Sequence, residues 1–139
     1  MQSKYPNTFY RISVKAIIQN ESGEVLVIKE NGSQWSLPGG GVDHGETIHD
    51  ALKRELYEEV LIDQPFTETL LDTATMFVES KQAWLMWLVY AVKLNTYTYG
   101  IGQDADDVTF IDPIVFKNST HLSEQLVYEF ATKHVARIS

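Results

Sequence analysis

The chain has 139 residues, 44% of them hydrophobic and 12% aromatic, which suits one packed domain and is too short for two. It contains no cysteine, which excludes disulfides, thiolate zinc and cysteine-held iron–sulfur centres; His44, His49, His121 and His134 fall in no HxH or HxxxH spacing, so a metal would be held by oxygen. A net charge of −8 argues against binding a nucleic-acid polymer through its backbone, but not against a small phosphorylated ligand bridged to acidic protein by a divalent cation.

The N-terminal MQSKYPNTFYR lacks the apolar core of a signal peptide, and the most apolar run, AWLMWLVYAV, is too short to cross a bilayer. A cytoplasmic protein with no membrane contact is the resulting expectation. From Tyr10 to Gln19 the chain alternates and is β-branched, and Glu24 to Glu30 reads EVLVIKE; the NESG turn between them predicts a hairpin. Trp35 to Pro38 form a short extended piece, because Pro38 biases Leu37 away from helix.

Thr47 with Asp50 fits a capping-box spacing, and the residues from there to Val60 are mostly good helix formers. Beyond that helix, PFTETLLDTATMFVES and QAWLMWLVYAVKL read as two long strands joined near Lys81, the second nearly continuous in apolar residues and therefore central. TYTYGIGQDADD reads as a polar loop and DVTFI as a short strand. From Thr120 onward, Leu122, Leu126, Val127, Phe130, Val135 and Ile138 recur at helical spacing, predicting an amphipathic helix packed on the sheet. The order strands, helix, strands, helix implies an α/β fold, a mixed sheet covered by helices, with residues 1–139 as one domain.

The first helix carries an unusual load of acid. With Ile48 at zero and about 100° per residue, Leu52 and Leu56 lie near about 40° and 80°, which fixes the core side. Glu59 then falls near about 20°, Glu55 near about 340° and Glu58 near about 280°, so two of the three acids sit among apolar residues. A solvated acidic face beside Lys53 and Arg54 is the common alternative for such a helix. Carboxylates that lose water this close together must be protonated, paired with cations or bound to metal, and an oxygen-only set suits Mg²⁺ or Mn²⁺. Just before the helix, PGGGVDHG lets backbone approach a ligand closely, although it lacks the GKS or GKT of a Walker A loop.

Gly40, five residues, Glu46, seven residues, then Arg54-Glu55-Leu56-Tyr57-Glu58-Glu59 resembles the Nudix box, GX5EX7REUXEEXGU with U aliphatic; Ile62 fills the last aliphatic place. One position departs: Leu61 stands where the family has glycine, which bears on how the helix ends, since leucine resists the left-handed turn. The resemblance implies an α/β/α sandwich and Mg²⁺- or Mn²⁺-dependent hydrolysis of a nucleoside diphosphate linked to another group. By motif position it implies Glu55, Glu58 and Glu59 as metal ligands, with the Gly39 carbonyl as a possible addition, and Arg54 orienting the acids with Glu46 as its ion-pair partner. Homodimers are common in the family, so that state is carried as an expectation.

For the proton taken from the attacking water, Glu55 is the first candidate and an acid of the loop QDADDVTF the second. In that loop Asp106 and Asp107 are favoured over Asp104, with Asp107 carried as the catalytic candidate; a merely solvated Asp-rich loop has equal weight. Gly40 and Gly41 are expected against the substrate, with Trp35 and Phe77 as candidates to stack on a base. Each aromatic is more often core, and Trp84 and Trp87, of opposite strand parity, should face opposite sides of the sheet. The downstream places that hold proline in ADP-ribose enzymes or tyrosine in dinucleoside-polyphosphate enzymes are Phe77 to Ser80 here. A nucleoside triphosphate, canonical or oxidised, is thus the default substrate, with ADP-ribose, dinucleoside polyphosphates, nucleotide sugars or a silent nucleotide-binding regulator as alternatives.

Overall fold

The computed structural model describes residues 9–134 and Ile138. The N-terminal stretch read for a leader lies largely outside these residues, as does Val135 of the predicted C-terminal helix. Six strands and two α-helices follow in the order β1 (Arg11–Ile17), β2 (Val25–Lys29), β3 (Gly39–Gly41), α1 (Ile48–Val60), β4 (Phe66–Val78), β5 (Ala83–Leu94), β6 (Asp107–Ile111) and α2 (Leu122–Lys133). A four-stranded sheet has the order β3-β1-β5-β4 and a two-stranded sheet pairs β2 with β6. The larger sheet is mixed, since β1 runs parallel to β5 while β1–β3 and β4–β5 are antiparallel.

The predicted hairpin between the first two strands is corrected by this topology. Its turn forms, with Asn20 Oδ1 accepting from Ser22 N–H (3.1 Å) and Glu24 N–H (2.9 Å). Beyond an isolated bridge between Gln19 and Val25 the strands part, β1 to the larger sheet and β2 to β6. The physical reason is burial: Val25, Leu26, Val27 and Ile28 are all buried, so β2 needs cover on both faces. Val25 and Val27 pack with α2, Trp87 and Leu85, while Leu26 and Ile28 pack with Leu52, Leu56 and Val60 of α1. The two helices therefore cover opposite apolar layers, as the sandwich expectation required.

The long β4–β5 pair is joined at Glu79–Lys81 and β5 is interior, both as predicted. Trp84 is exposed and Trp87 buried, in keeping with their opposite parity. At the bulge between Leu70 and Asp72, Asp72 Oδ2 meets His134 Nε2 (2.9 Å) and Lys133 Nζ (3.0 Å), tying β4 to the end of α2. The bond from His134, then that from Lys133, holds the Asp72 carboxyl well below the usual carboxylate range. A carboxyl depressed in the folded state stabilises fully above its unfolded pKa of about 4 and loses that contribution as pH falls toward the folded value. Asp72→Asn should therefore lower stability at neutral pH and flatten the acid side of the stability profile, read by urea unfolding at stepped pH.

Candidate active site

The helix α1 begins as its sequence dictates, with Thr47 Oγ1 accepting from Asp50 N–H at 3.2 Å. It ends without the glycine. Leu61 takes the left-handed conformation, φ 55° and ψ 31°; its N–H donates to Tyr57 O in the single-turn bond of an αL end, and the Ile62 N–H donates to Leu56 O outside it, each at 3.2 Å. The remaining carbonyls are taken by the loop before β6. Gly100 N–H donates to Val60 O (2.9 Å), Gly102 N–H to Glu59 O (2.8 Å) and Asp104 N–H to Glu58 O (3.2 Å).

Gly102 is needed for this contact, and Gly100 lies close under Leu61. A Cβ at Gly102 would fall on the Glu58 carbonyl oxygen, and one at Gly100 would sit 2.9 Å from Leu61 Cδ1. Leu61 thus accepts a left-handed backbone, at a cost of about 1–2 kcal/mol, and packs its half-exposed side chain over Gly100. Leu61→Gly should leave stability within about 1 kcal/mol, because relief of strain offsets lost packing and added chain entropy. Leu61→Val, branched at Cβ, should cost about 1–2 kcal/mol more than the glycine variant; thermal unfolding compares them.

Arg54 organises the acids. Its Nε and Nη2 donate to Glu46 Oε2 (2.8 Å) and Oε1 (2.9 Å), Nη1 to Glu55 Oε1 (2.9 Å) and Glu58 Oε2 (3.3 Å), and Nη2 also to the Gly41 carbonyl (2.9 Å). The bidentate bond to Arg54 first, and the Asp43 N–H second, hold Glu46 down at about 2. Glu46 is therefore an anion whose role is to fix the arginine.

The helical wheel's assignment of the acids holds in three dimensions. Glu59 is 2% exposed, Glu55 is largely covered and Glu58 is partly open. Glu59 Oε1 accepts from the Gly39 N–H at 2.7 Å. Burial, together with a hydrogen bond shared with the Glu30 carboxyl, raises the Glu59 pKa far above the ordinary range. Burial likewise raises Glu55, against the pull of Arg54. Below them lies Lys15, its Nζ 4.8 Å from the Trp87 ring centroid and donating to Leu37 O at 3.5 Å. Burial lowers its pKa and the nearby Glu59 and Glu30 charges oppose that.

The three glycines are there for space. Gly39 has φ 139°, and a Cβ on it would strike the Val14 carbonyl oxygen. At Gly40 a Cβ would stand 2.6 Å from Glu55 Oε1, and at Gly41 it would collide with the Arg11 guanidinium. The glycine strand and α1 enclose a cleft of about 410 Å³ whose walls also include Glu30, Lys81, Asp104 and Asp106.

Two groups of expected site residues meet this cleft differently. Gly39, Gly40, Gly41, Glu55, Glu58 and Glu59 line it, with Arg54 directly behind. Trp35, Phe77 and Asp107 do not. Trp35 packs against the α2-side core with Lys29 Nζ 4.7 Å from its ring centroid, and Phe77 lies in an outer aromatic row with Trp84 at 5.8 Å. Asp107 begins β6 opposite Lys29, its Oδ1 accepting from Val108 N–H (2.9 Å); strand pairing keeps it there, and Asp104 and Asp106 reach the cleft instead. Asp106 Oδ2 accepts from Gly32 N–H at 2.8 Å. Glu30 and Lys81 escaped sequence reading because only tertiary packing brings them to α1.

All donors here are oxygen, and no group of three or more His, Cys, Asp or Glu among the described residues forms a ready-made metal cage. An all-oxygen set of this kind suits Mg²⁺ or Mn²⁺, ions that keep waters and share substrate phosphates. The carboxylates lining the cleft outnumber the cations near them, and a divalent ion fits that deficit.

A mixed sheet between two helices, with a glycine strand held against an acidic helix by one arginine, is the Nudix type of α/β fold. The NUDIX domain model matches residues 9–118. Nudix hydrolase 5 of Arabidopsis thaliana is 31% identical over 113 residues, covering 73% of this chain and 35% of that protein. An RNA pyrophosphohydrolase of Shewanella piezotolerans is 42% identical over 65 residues, 46% of this chain and 38% of that one. The chain therefore spans well under two thirds of these relatives. A MutT NUDIX hydrolase from Burkholderia pseudomallei superposes with a TM-score of 0.73 at 21% identity, covering 88% of this chain and 98% of that one. The chain belongs to the Nudix family. Among the described residues no helix is long and apolar enough to cross a membrane.

Proposed function

We propose that this chain, as one domain, is a cytoplasmic pyrophosphohydrolase that cleaves a phosphoric anhydride in a nucleoside diphosphate linked to another group, using Mg²⁺ or Mn²⁺. The observation that carries this reading is Arg54, which gathers Glu46, Glu55, Glu58 and the Gly41 carbonyl so that the acids of α1 face the glycine strand across one cleft. Glu55, Glu58, Glu59 and the Gly39 carbonyl would hold the cation. When bound, it neutralises phosphate oxygens and lowers the pKa of a coordinated water.

The side chains supply the rest. Glu46 keeps Arg54 fixed, and Arg54 holds Glu55 and Glu58 apart from one another while screening their charge. Glu55 accepts the water's proton, a role suited to a carboxyl made more basic by burial. Asp106 or Asp104, not Asp107, is the second candidate for that proton. Gly40 leaves the room that Glu55 occupies.

A nucleoside triphosphate, canonical or oxidised, giving monophosphate and pyrophosphate, is the first choice of substrate. The likeness to RNA pyrophosphohydrolases supports a second, the 5′-triphosphate end of RNA. A net charge of −8 favours the free nucleotide over a polymer. Incubating the protein and Mg²⁺ with canonical and oxidised nucleoside triphosphates, triphosphate-ended RNA, ADP-ribose, dinucleoside polyphosphates and nucleotide sugars, with product identification, tests the reading. Monophosphate and pyrophosphate from the triphosphates is the expected result. Binding without turnover across the whole panel would replace it with a silent nucleotide-binding regulator.

A further inference from the structure

The cleft is walled by six carboxylates, those of Glu30, Glu55, Glu58, Glu59, Asp104 and Asp106, and a polyphosphate entering it brings more negative charge. Most cations near it are already engaged. Arg54 is committed to three glutamates, Lys15 is buried among Glu59 and Glu30, and Lys29 lies over the Trp35 ring. Two remain. Neither Arg11 nor Lys81 has an ion-pair partner among the described residues.

Their positions follow from the topology. Because β1 and β5 run parallel with Arg11 opposite Leu85, the first residue of β1 and the turn before β5 lie at the same end of the sheet. Gly41, opposite Ser13, is at that end too. Lys81 lines the cleft from the β4–β5 turn, whose own acid is taken, since Gln82 N–H (3.1 Å) and Nε2 (2.8 Å) donate to the Glu79 carbonyl and Nε2 also to Glu79 Oε2 (3.3 Å). Arg11 lies against the bare Cα of Gly41, and among the described residues its guanidinium makes one hydrogen bond, from Nη1 to Val42 O at 2.8 Å, out of the several it can donate.

Along the glycine strand the neighbours change sign: Glu59 at Gly39, Glu55 at Gly40, the Arg11 guanidinium at Gly41. Two strand steps of about 3.3 Å separate the ends, a length on the order of a diphosphate. Gly40 and Gly41 present opposite faces of β3, the sheet edge, and Arg11 borders a second hollow, with Val42, Asp43 and Glu46, rather than the cleft itself, so a ligand reaching both would cross that edge.

We propose that Arg11 and Lys81 form a phosphate-binding pair, which takes the end of a metal-complexed diphosphate or triphosphate that points away from the acids of α1. The pair deepens the hydrolase reading, and rests on it only for which phosphate compound is the natural ligand. Arg11 supplies a planar fork for phosphate oxygens and Lys81 a compact charge on a turn.

Calorimetry with magnesium pyrophosphate as the probe, on the full chain, tests the pair apart from turnover. Lys81→Gln should weaken binding at least tenfold and reduce its salt dependence, Lys81→Arg should restore it to within threefold, and Gly41→Ala, by displacing the guanidinium, should weaken it as Arg11→Gln does. With the best substrate, Lys81→Gln should raise KM tenfold or more while kcat stays within twofold. Wild-type protein that binds pyrophosphate through Lys81 yet hydrolyses nothing would sink the hydrolase reading and leave the pair standing. Affinity within twofold of wild type in both Lys81→Gln and Arg11→Gln, or no binding by wild type, would overturn the pair.

Discussion

Glu58→Gln should lower kcat by about 10²–10³-fold while the protein stays folded and its unfolding midpoint hardly moves. Glu58 is the most open of the three helix acids, and among the described contacts its side chain meets only Arg54, at 3.3 Å. Its removal therefore takes little from stability, and Arg54 keeps its bidentate hold on Glu46. What is lost is a charged oxygen lining the cleft, and a neutral amide is a much weaker cation ligand in its place. Steady-state kinetics with a circular dichroism melt separate the two quantities. Wild-type turnover in a folded Glu58→Gln protein would remove α1 from the chemistry.

Gly39→Ala should be the most destabilising single methyl in the chain, by at least about 3 kcal/mol. Three effects add at that position. The backbone is at φ 139°, where an L side chain is strained; the new Cβ would land on the Val14 carbonyl oxygen; and any shift of the strand pulls the Gly39 N–H from Glu59. Losing that bond would leave a carboxyl buried beside Glu30 with one donor fewer. Urea unfolding measures the loss. By contrast, Gly45→Ala, with positive φ but open space around it, should pay for backbone strain alone, about 1–2 kcal/mol.

These two residues also mark what the sequence could and could not tell. Helix α1 was legible to the residue, because its cap at Thr47, its apolar arc and its acids are local and periodic. That Glu55 and Glu59 sit inward with Glu58 at the border followed from the same wheel. The end of the helix was not legible: Leu61 breaks the family's pattern, and the last carbonyls of α1 are taken by Gly100, Gly102 and Asp104, residues far along the chain.

The hairpin misreading has the same root. NESG does make its turn, yet β1 and β2 separate because β2 pairs with β6, a strand whose address no local pattern carries. The cleft's opposite wall arrives with that pairing, since the chain before β6 brings Asp104 and Asp106 and the end of β2 brings Glu30. Asp106 and Asp107 stand together as candidates on the family's pattern of an acid shortly before an aromatic; Asp107 enters the strand ladder opposite Lys29, while Asp106 lines the cleft. Trp35 and Phe77 were candidates only as aromatics. Neither lines the cleft: Trp35 packs beside α2, and Phe77 lies in an outer row with Trp84 and Tyr10.

Everything proposed for the site depends on α1 holding a divalent cation, and Mn²⁺ binding by electron paramagnetic resonance, paired with turnover of the best nucleotide substrate, reads that directly. The wild-type protein should bind Mn²⁺, Glu58→Gln and Glu55→Gln should each bind it far more weakly, and a chelator should abolish turnover until Mg²⁺ or Mn²⁺ is restored. Equal Mn²⁺ binding in wild type and both variants, or turnover that persists in excess chelator, would contradict it.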